Sequence, residues 1–487
     1  MSKLTHNLIL NSDSYKYSQW NQYPKNTEYV YSYIESRGGA WDATVFFGLQ
    51  AFIKEYLTTP ITKEDIDVAE QIITAHGEPF YREGWDYILQ AHQGKLPVVI
   101  KAAPEGCVIP TKNVLATIEN TDPKCYWLTS FLETALLRAI WYPTTVATNS
   151  YEAKKIILNY LEKTGDPSLI DFKLHDFGAR GVSSMESAGL GGAAHLINFM
   201  GTDTISALLA AREYYSCDMA GFSIPAMEHS TVTSWGRDGE VDSYRNMLKQ
   251  NGKPGGLLAC VSDSYDIFKA CEYWGTVLKD DVINSGATVV IRPDSGEPSD
   301  VVVKCLYILE KYYGSVKNSR GFRVLNNVRI IQGDGIDHAT IRSILFCMEM
   351  AGFSADNVAF GQGGALLQQI NRDTLKFAMK CSSIGIKERE YIHAPVISGE
   401  KQVVSVVDKL VWRDVYKDPI TDHGKVSKKG RVTLWESGGE YLSAVDEPKG
   451  WTDKGVGPWV EALSEVYRDG VLVKEITFDE VRANARR

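Results

Sequence analysis

The feature of this sequence that most limits its fold is a series of short apolar runs between residues 172 and 382. Each run is ended by polar or glycine residues and is followed by a segment with helical periodicity. The runs recur at intervals of roughly 25–40 residues, which is typical of repeated strand–helix units and a parallel sheet. They are Phe172–Leu174, Leu196–Phe199, Gly221–Pro225, Leu257–Val261, Thr288–Ile291, Val328–Ile331 and Asn357–Phe360. So long a series favours a closed βα barrel, regular or irregular, with a doubly wound open sheet as the alternative.

The pattern differs on both sides of this series. Residues 1–170 mix extended aromatic pieces with helical ones, including a helical stretch at 145–161 for which Thr148 and Asn149 are candidate N-caps. Residues 385–487 predict strands joined by Gly, Lys and Asp turns. We therefore expect a catalytic barrel at 171–384. Residues 1–170 and 385–487 are expected to pack together as a second, largely β domain.

Composition excludes several classes of protein. The net charge of −9 argues against nucleic acid as the main partner, although one pocket can still be locally basic. The eight cysteines are scattered singly, which predicts buried, reduced thiols rather than disulfides or a zinc site. No apolar stretch reaches the length of a secretion signal or a membrane span. These features together predict a cytoplasmic protein.

The residues that end the predicted strands are the best candidates for chemistry. In a βα barrel the carboxyl ends of the strands form one face, and that face carries the active site. Taken singly, each residue also has an ordinary structural interpretation as a helix cap, a turn glycine or a buried histidine. The strand-end residues, in order, are His175-Asp176-Phe177, Gly201-Thr202-Asp203, Glu228-His229, Ser262-Asp263-Ser264, Arg292-Pro293-Asp294, Gly333-Asp334-Gly335 and Gly361-Gln362-Gly363-Gly364.

Two of these segments indicate a phosphorylated ligand. Gly361–Gly364 opens directly into a helical run, where bare backbone N–H groups can cradle a phosphate. Arg292 and Asp294 could hold the phosphate and the hydroxyls of a sugar phosphate, the alternative being an ion pair with no ligand. The glycine segment does not match the P-loop of nucleoside triphosphatases. The residues alone therefore indicate a sugar-phosphate site without naming the substrate.

A resemblance to a known family indicates which substrate this site binds. The chain resembles the nicotinamide phosphoribosyltransferases, a family of type II phosphoribosyltransferases, in matches that run nearly end to end and in order. They are DSYK at Asp13–Lys16, ESR at Glu35–Arg37, NTDPKCYWLT at Asn120–Thr129, WYPTTVATNS at Trp141–Ser150, HDFGARGVSS at His175–Ser184, GTDT at Gly201–Thr204, EHST at Glu228–Thr231, VSDSYDI at Val261–Ile267, IRPDSGEP at Ile291–Pro298, IQGDGID at Ile331–Asp337, FGQGG at Phe360–Gly364 and SKKGR at Ser427–Arg431.

The resemblance implies an enzyme of NAD salvage that joins nicotinamide to 5-phosphoribosyl-1-pyrophosphate. Nicotinamide is expected between Phe177 and Tyr15 of the second subunit of a homodimer, with its carboxamide on Asp203. An aspartate at 203 should repel the carboxylate of nicotinic acid. Mg²⁺ is implied as cofactor, without assigned protein ligands, and ATP as a stimulating co-substrate that phosphorylates His229. Glu228 or Asp266 is a candidate to orient that imidazole.

The remaining implied roles concern the phosphoribosyl group and the pyrophosphate. Asp294 would hold the ribose and Arg292 a phosphate, and both are counted with His229 and Asp266 as catalytic. The other substrate-binding residues implied are Arg180, Ser223, Ser262, Gly333, Asp334, Gly363 and Gly364, completed across the dimer by Arg37, Arg372 and Lys380.

The chain departs from vertebrate members of this family in a few places. Ala179 stands where they carry tyrosine, Gln362 replaces a serine of the glycine loop, and the stretch from about 384 to 408 is longer. These departures bear on inhibitor sensitivity and on feedback by NAD. The alternatives to a nicotinamide enzyme are a nicotinate phosphoribosyltransferase on the same scaffold and a catalytically inactive binding relative. The inactive relative is disfavoured because His229, Arg292, Asp294 and the glycine loop are all retained.

Overall fold

Short parallel strands occupy the middle of the chain, and longer antiparallel strands dominate its two ends. The computed structural model describes residues 7–393, 403–449 and 457–486. The strands are β1 Thr27–Ser36, β2 Ala43–Val45, β3 Val98–Ala102, β4 Val108–Pro110, β5 Val114–Asn120, β6 Leu174–Asp176, β7 Gly201–Thr202, β8 Leu257–Val261, β9 Thr288–Arg292, β10 Ser315–Lys317, β11 Arg323–Leu325, β12 Val328–Gln332, β13 Val358–Gln362, β14 Phe377–His393, β15 Val403–Asp414, β16 Thr433–Ser437, β17 Glu440–Ala444, β18 Val460–Glu461, β19 Ser464–Arg468 and β20 Val471–Leu472.

Helices alternate with the strands in the middle of the chain, and further helices lie in its two ends. They are α1 Leu49–Phe52, α2 Lys63–His76, α3 Arg82–Ala91, α4 Leu128–Phe131, α5 Glu133–Thr164, α6 Met185–His195, α7 Ile205–Tyr215, α8 His229–Thr233, α9 Glu240–Asn251, α10 Ile267–Gly275, α11 Lys279–Ser285, α12 Pro298–Tyr313, α13 His338–Met350, α14 Gly364–Leu367 and α15 Phe478–Ala485. Among the described residues, none of these helices is both long and apolar enough to cross a membrane.

The chain divides into two structural units. The first, here called the β unit, comprises Met1–Thr145 and Asn371–Arg487, and the second, the barrel unit, comprises Val146–Ile370. The expected boundaries at 170/171 and 384/385 were therefore both too late in the chain. At the first boundary, α5 runs without a break past Thr148 and Asn149, so neither caps a helix. The second half of α5 joins the barrel core, in which Ile157 and Leu161 are buried.

At the second boundary, the pairing of β14 explains the difference. β14 begins at Phe377 and pairs antiparallel with β1, with Phe377 opposite Ser36 and Lys380 opposite Tyr33. A strand belongs to the sheet that satisfies its backbone hydrogen bonds. This pairing places the residues from 377 onward in the β unit, whose sheet has the order β15-β14-β1-β5-β3-β19-β20.

The barrel unit is built on a six-stranded parallel sheet of order β7-β6-β13-β12-β9-β8. The segment from Phe222 to Met227 pairs with both edges of this sheet and closes it into a ring. At β7, Phe222 N–H donates to Met200 O (2.7 Å) and Phe222 O accepts from Thr202 N–H (3.1 Å). At β8, Ala259 N–H donates to Pro225 O and Met227 N–H to Ala259 O, both at 2.9 Å. The predicted irregular βα barrel is confirmed.

The closing segment forms isolated bridges rather than a regular strand. Pro225 has no N–H to donate, so a continuous ladder cannot pass through it. One predicted strand was also wrong: Leu196–Phe199 follows the C-terminus of α6, and the strand is Gly201–Thr202. Leu196 and Phe199 are both buried. Because a short apolar run is buried in either kind of element, periodicity alone does not separate them.

The barrel interior is lined by small and branched residues in alternating positions. Ala259, Val290 and Ile331 pack together inside the ring, and Phe177 and Ala359 lie against them. Successive side chains of a strand point to opposite faces, so positions two residues further along continue the inward series. Those positions are Arg292 on β9, Gly333 after β12 and Gly361 on β13. They deliver the arginine and both glycines to the carboxyl rim of the barrel.

Within the described part of the chain, no cysteine forms a disulfide. Cys125, Cys260, Cys271 and Cys305 are buried, whereas the other four are partly exposed. Burial raises the pKa of the Cys125 thiol to about 12, which keeps it protonated at neutral pH. All eight cysteines are free thiols in this structure, and the prediction that they are buried holds for half of them.

A buried lysine stabilises the opposite end of the barrel from the rim. Lys173 precedes β6, and its ammonium donates to the carbonyls of Ala355 (3.1 Å), Asp356 (3.0 Å) and Val358 (2.9 Å). Burial lowers the pKa of Lys173 to about 8, an effect that the charge of Asp356 opposes. An unfolded chain keeps this proton up to a pH of about 10.4. Between these two values the unfolded state binds more protons, so this residue's contribution to stability rises with pH.

We predict that the wild-type protein gains thermal stability relative to Lys173→Met as the pH is raised from about 7.5 to about 9.5, because methionine has no proton to lose. Differential scanning calorimetry of both proteins at both pH values measures the change. Lys155→Met is the matched control, because Lys155 is an exposed lysine of α5 and should show no such divergence. Unfolding midpoints of wild type and Lys173→Met that move in parallel would contradict the assignment.

Candidate active site

Phe177 lies at the carboxyl end of β6 and forms an apolar wall of the rim. Its N–H donates to Gln362 O on β13 at 3.0 Å, which aligns the residue with the neighbouring strand. Its ring packs so closely on Gly361 that a Cβ there would stand 2.0 Å from Cε2, and a Cβ on Gly333 would stand 3.5 Å from the same atom. The glycines at 361 and 333 therefore make the space that the Phe177 ring occupies.

Asp203 provides an exposed carboxylate on the neighbouring strand. It follows β7, and its N–H donates to Asp176 O at 2.9 Å. The hydroxyl of Ser223, from the segment that closes the barrel, donates to Asp203 Oδ1 at 2.6 Å. The ionised carboxylate accepts hydrogen bonds only, so its remaining lone pairs suit an N–H donor of a ligand. The structure thus brings together two of the predicted substrate-binding residues.

Arg292 and Asp294 face each other at the end of β9. Arg292 Nε and Nη2 donate to the two carboxylate oxygens of Asp294 at 3.3 and 2.9 Å, and both side chains are less than a quarter exposed. A Cβ on Gly333 would lie 3.5 Å from Asp294 Oδ1 and 3.7 Å from Arg292 Nε. Phe177, Gly333 and this ion pair therefore meet at one place. The paired guanidinium retains further N–H donors that can bind a phosphate.

His229 begins α8, and its partner is Asp263. His229 Nε2 lies 2.9 Å from Asp263 Oδ1, and Ser295 Oγ donates to the other oxygen of that carboxylate at 2.6 Å. The imidazole is 45% exposed while the Asp263 side chain is 5% exposed, so a buried anion orients an accessible ring. Asp263 was among the strand-end candidates, with a helix cap as its ordinary interpretation, but was assigned no role in the site from sequence. Its position at the end of β8, next to the strand end that carries His229, was the available signal.

The two residues expected to orient His229 are engaged elsewhere. Glu228 accepts a hydrogen bond from the hydroxyl of Ser230. Asp266 caps α10, accepting from the N–H groups of Phe268 (2.9 Å) and Lys269 (3.1 Å). The structure does not place Asp266 at the imidazole, because a carboxylate directly before a helix is captured by that helix's own unpaired N–H groups.

Ser262 is also placed differently from the prediction. Its side chain is buried, its hydroxyl donates to Cys260 O (3.0 Å) and accepts from Trp274 Nε1 (3.1 Å). Its backbone N–H donates to Arg292 O at 3.0 Å. These bonds occupy the groups that were expected to bind a phosphate. Ser262 instead fixes the end of β8 against α10 and β9.

The glycine loop forms an open part of the rim. Nothing lies within 4 Å of the position that a Cβ on Gly364 would take, so a ligand can approach this backbone closely. Gly363 O accepts from Leu366 N–H at 3.0 Å, which starts the short helix α14. Arg180 is exposed in a turn. The next residue, Gly181, lies against the glycine loop, since a Cβ on Gly181 would stand 3.7 Å from Gly364 Cα. This arrangement suits phosphate binding by one guanidinium and bare backbone.

Two of the positions that the sequence analysis singled out as departures, Ala179 and Gln362, lie near this loop. Gln362 is buried at the end of β13, where its carbonyl accepts from Phe177 N–H, and Ala179 is exposed in the turn before Arg180. Asp334 is exposed, and its carbonyl accepts from Gln332 Nε2 at 3.1 Å. The Asp334 side chain is thus available to a ligand, and the Gln362 side chain belongs to the barrel wall.

The remaining predicted site residues lie in the β unit. Tyr15 is 56% exposed in the 3-10 helix Ser14–Asn21, and Arg372 is exposed, with its Nη2 3.3 Å from Oδ1 of Asp373. Arg37 and Lys380 both act electrostatically on the buried carboxyl of Glu35, whose direct partner is the ammonium of Lys428. Lys428 is a further basic residue of this region that sequence reasoning missed, although it lies within the SKKGR match.

Comparison with solved structures defines the class of the fold. The chain matches the crystal structure of nicotinate-nucleotide pyrophosphorylase from Pyrococcus furiosus with a TM-score of 0.62 and 15% identity, covering 100% of this chain and 96% of the other. It matches human nicotinic acid phosphoribosyltransferase with a TM-score of 0.55 and 15% identity, covering 98% and 92% of the two chains. At this identity the likeness concerns the fold, which is that of the type II phosphoribosyltransferases.

Sequence comparison then narrows the class to a family. Residues 172–404 match the nicotinate phosphoribosyltransferase family, and residues 7–100 match the N-terminal domain of nicotinamide phosphoribosyltransferase. A nicotinamide phosphoribosyltransferase of Xanthomonas campestris pv. campestris is 53% identical over 98% of both chains. The chain belongs to the nicotinamide phosphoribosyltransferase family.

The close packing of Phe177 on Gly361 is testable by stability. We predict that Gly361→Ala lowers the free energy of unfolding by roughly 1–3 kcal/mol, because the added methyl group overlaps the aromatic ring. The same substitution should cost less in a Phe177→Ala background, where the ring is gone, and a double-mutant cycle in urea measures this coupling. Gly364→Ala, which meets no atom within 4 Å, is the control for adding a methyl group to this rim. Equal costs of Gly361→Ala in the two backgrounds would refute the packing argument.

Proposed function

We propose that this protein transfers the 5-phosphoribosyl group of 5-phosphoribosyl-1-pyrophosphate to nicotinamide, forming nicotinamide mononucleotide and pyrophosphate in NAD salvage. The observation that carries the proposal is the exposed Asp203 carboxylate one strand away from the Phe177 ring. A flat aromatic amide fits this pair, because its ring stacks on the phenylalanine while its carboxamide N–H donates to the carboxylate. The 53% identical relative named for the same activity supports it.

Asp203 also accounts for the choice of nicotinamide over nicotinic acid. The carboxylate of nicotinic acid would face that of Asp203, with a hydrogen-bond donor on neither side. Two unpaired negative charges at hydrogen-bond distance repel strongly at a partly desolvated site. Nicotinamide replaces this repulsion with a charge-assisted hydrogen bond, which is stronger than a neutral one.

The chemistry proposed is displacement at the anomeric carbon of the ribose. The pyridine nitrogen forms a bond to that carbon as its bond to the pyrophosphate oxygen breaks, and both bonding electrons leave with pyrophosphate. Positive charge develops on the ribose and negative charge on the leaving group. Asp294 stabilises the first, and Arg292 and Arg180 stabilise the second. The open backbone at Gly363 and Gly364 leaves room for the 5-phosphate.

Magnesium fits this rim as a partner of the substrate. Mg²⁺ prefers oxygen ligands and usually binds through one or two carboxylates together with substrate phosphates. Within the described residues, the barrel rim holds no grouping of three or more His, Cys, Asp or Glu side chains that would make a cage of protein ligands alone. Asp263 and Asp294 lie at neighbouring strand ends linked through Ser295, and they would hold the ion. When bound, Mg²⁺ supplies positive charge to the pyrophosphate.

His229 is proposed to accept a phosphoryl group from ATP. Its Nε2 is held by Asp263, which leaves Nδ1 as the nucleophile. The γ-phosphorus of ATP bonds to Nδ1 as its bond to the bridging oxygen breaks, and ADP leaves with that electron pair. The proton on Nε2 then donates to Asp263, whose negative charge stabilises the ring. The phosphorylated side chain would add charge and acceptor oxygens next to the pyrophosphate site.

The proposed assembly is a homodimer with shared active sites in the cytoplasm. Apolar side chains that border Asp203 and Ser223 are exposed on the isolated chain: Ile205, Leu209, Met219 and Phe222 are each at least 49% exposed. Exposed apolar patches next to a binding site are typical of protein interfaces. A second copy covering them would bring Tyr15, Arg37, Arg372 and Lys380 of its β unit to the rim.

We predict that the purified protein with 5-phosphoribosyl-1-pyrophosphate and Mg²⁺ forms product faster from nicotinamide than from nicotinate, and that Asp203→Asn reduces this preference by about ten-fold or more, because it removes the repulsive charge. The products formed from nicotinamide and from nicotinate, separated by liquid chromatography, give the ratio of kcat/KM for the two substrates. Asp218→Asn, an exposed aspartate of the same unit, is the control. Faster turnover of nicotinate by the wild type would overturn the proposed substrate.

We predict that His229→Ala and Asp263→Asn both lose the stimulation by ATP, since the first removes the nucleophile and the second its orienting carboxylate. Asp266→Asn should keep both the stimulation and nearly all of the stability, because Asp266 caps a helix and asparagine caps a helix about as well as aspartate. Initial rates with and without ATP, together with acid-labile incorporation of the γ-phosphate, distinguish these cases. ATP stimulation that survives in His229→Ala would refute the phosphohistidine.

A further inference from the structure

One fully buried carboxyl of the barrel rim, that of Asp176, takes no part in the proposed phosphoribosyl transfer or in the phosphorylation of His229. Asp176 is the last residue of β6, which lies between β7 and β13 in the sheet. Its side chain is 0% exposed. It directly precedes Phe177 and lies opposite Thr202, the residue before Asp203. Asp176 is therefore adjacent in space to both residues proposed to hold the pyridine ring.

The side chain of Asp176 controls the turn that carries Phe177. Its Oδ1 accepts from Gly178 N–H at 2.7 Å. Gly178 is confined on its other side, since a Cβ there would stand 2.7 Å from Leu367 Cδ1 and 3.0 Å from Gly363 O. The turn is thus held between the carboxylate and the glycine loop. Phe177 lies between Asp176 and Gly178, which are both held in place, so its ring has little freedom to move.

The backbone of Asp176 controls Asp203. Its carbonyl accepts from Asp203 N–H at 2.9 Å, beyond the last regular pair of the β6–β7 ladder. One residue therefore sets the position of both the aromatic wall and the amide-binding carboxylate. Displacements of about 1 Å in such a pair are enough to weaken a reaction substantially, because stacking and hydrogen bonding must be satisfied together.

The second carboxylate oxygen of Asp176, Oδ2, is buried, and burial disfavours its negative charge. Oδ2 lies beside the Thr204 side chain, which lowers the pKa of Asp176 but only partly offsets the effect of burial, and neither Oδ2 nor Thr204 Oγ1 makes a hydrogen bond of normal geometry within the described residues. A Cβ on Gly192 of α6 would stand 3.0 Å from Oδ2 and 3.2 Å from Thr204 Cγ2, so this oxygen packs against α6 close to the N-cap of α7. Burial, with a smaller contribution from the charge of Asp203, raises the pKa of Asp176 to about 6. An ionisable group retained at such a site is typical of functional positions.

We propose that Asp176 is a positioning residue of the pyridine site, which holds Phe177 through Gly178 N–H and Asp203 through its own carbonyl. This inference rests on the proposed function, since it concerns the binding of nicotinamide at the same rim. Asp176 does not touch the substrate. Its effect should therefore fall on the acceptor substrate and should depend on the hydrogen bond to Gly178 rather than on charge.

The test compares Asp176→Ala, Asp176→Asn and Asp176→Leu with the wild type. Asparagine keeps an acceptor for Gly178 N–H, so its KM for nicotinamide should stay within about three-fold of the wild type. Alanine and leucine accept no bond, so both should raise that KM by about ten-fold or more, with KM for 5-phosphoribosyl-1-pyrophosphate changed much less. Leucine fills the buried volume, which keeps the measurement possible if alanine does not fold.

The matched control is Asp166→Ala. Like Asp176, the Asp166 carboxylate accepts a hydrogen bond from the N–H group two residues ahead, that of Ser168, at 2.9 Å. Asp166 lies before the amino end of β6, whereas Asp176 lies at its carboxyl end. Removing the Asp166 carboxylate should leave KM for nicotinamide and KM for 5-phosphoribosyl-1-pyrophosphate unchanged. Three results would overturn the inference: an unchanged KM for nicotinamide in the leucine variant, an equal rise in KM for both substrates, or an asparagine variant as impaired as leucine. A wild type inactive with nicotinamide would instead reject the proposed function.

Discussion

The parallel hydrogen bonding of the barrel strands is the constraint on which the rest of this structure depends. Because β6, β7, β8, β9, β12 and β13 all run in the same direction, every strand delivers the residues that follow it to the same rim. The segment from Phe222 to Met227 closes this rim into a ring by pairing with both edge strands. Closure places Ser223 on Asp203 and brings His229, two residues beyond the segment, to the carboxylate of Asp263.

The rim is divided into two chemical environments that suit the two proposed substrates. Around Phe177, glycine at 361 and 333 lets an aromatic ring lie flat against the barrel wall. Next to it, the ion pair of Arg292 and Asp294 and the open backbone at Gly364 suit anionic groups. The absence of a side chain at a few inward positions therefore matters as much as the charged residues, because a Cβ at 361 would occupy the space of the Phe177 ring.

Much of this arrangement was predictable from sequence. The strand-end residues could be named because each followed an apolar run, and the barrel could be expected because the runs recurred. Partners within the rim could not be assigned in this way. Asp263 and Asp266 stand three positions apart in the same loop, yet one binds the imidazole and the other caps α10. Ser262 was expected to bind phosphate, but the indole of Trp274 and the carbonyl of Cys260 take its hydroxyl.

The two domain boundaries show the same limit. α5 continues through Thr148 and Asn149 because its second half is buried in the barrel core, and burial outweighs a local capping signal. β14 belongs to the β unit from Phe377 because it exchanges backbone hydrogen bonds with β1, which lies about 340 residues earlier in the chain. Local patterns identify an element reliably when it is strongly periodic, but its limits depend on contacts with distant segments.

The sequence by itself determined the fold class, the order of the strand-end residues and the family, because these follow from periodicity and from motifs read along the chain. Tertiary structure alone decided which carboxylate holds His229, which hydroxyl is consumed in the core, and that Asp176 lies behind both Phe177 and Asp203. The physical reason is that hydrogen-bond donors and acceptors are satisfied by their nearest neighbours in space. In a parallel barrel those neighbours come from strands separated by tens of residues.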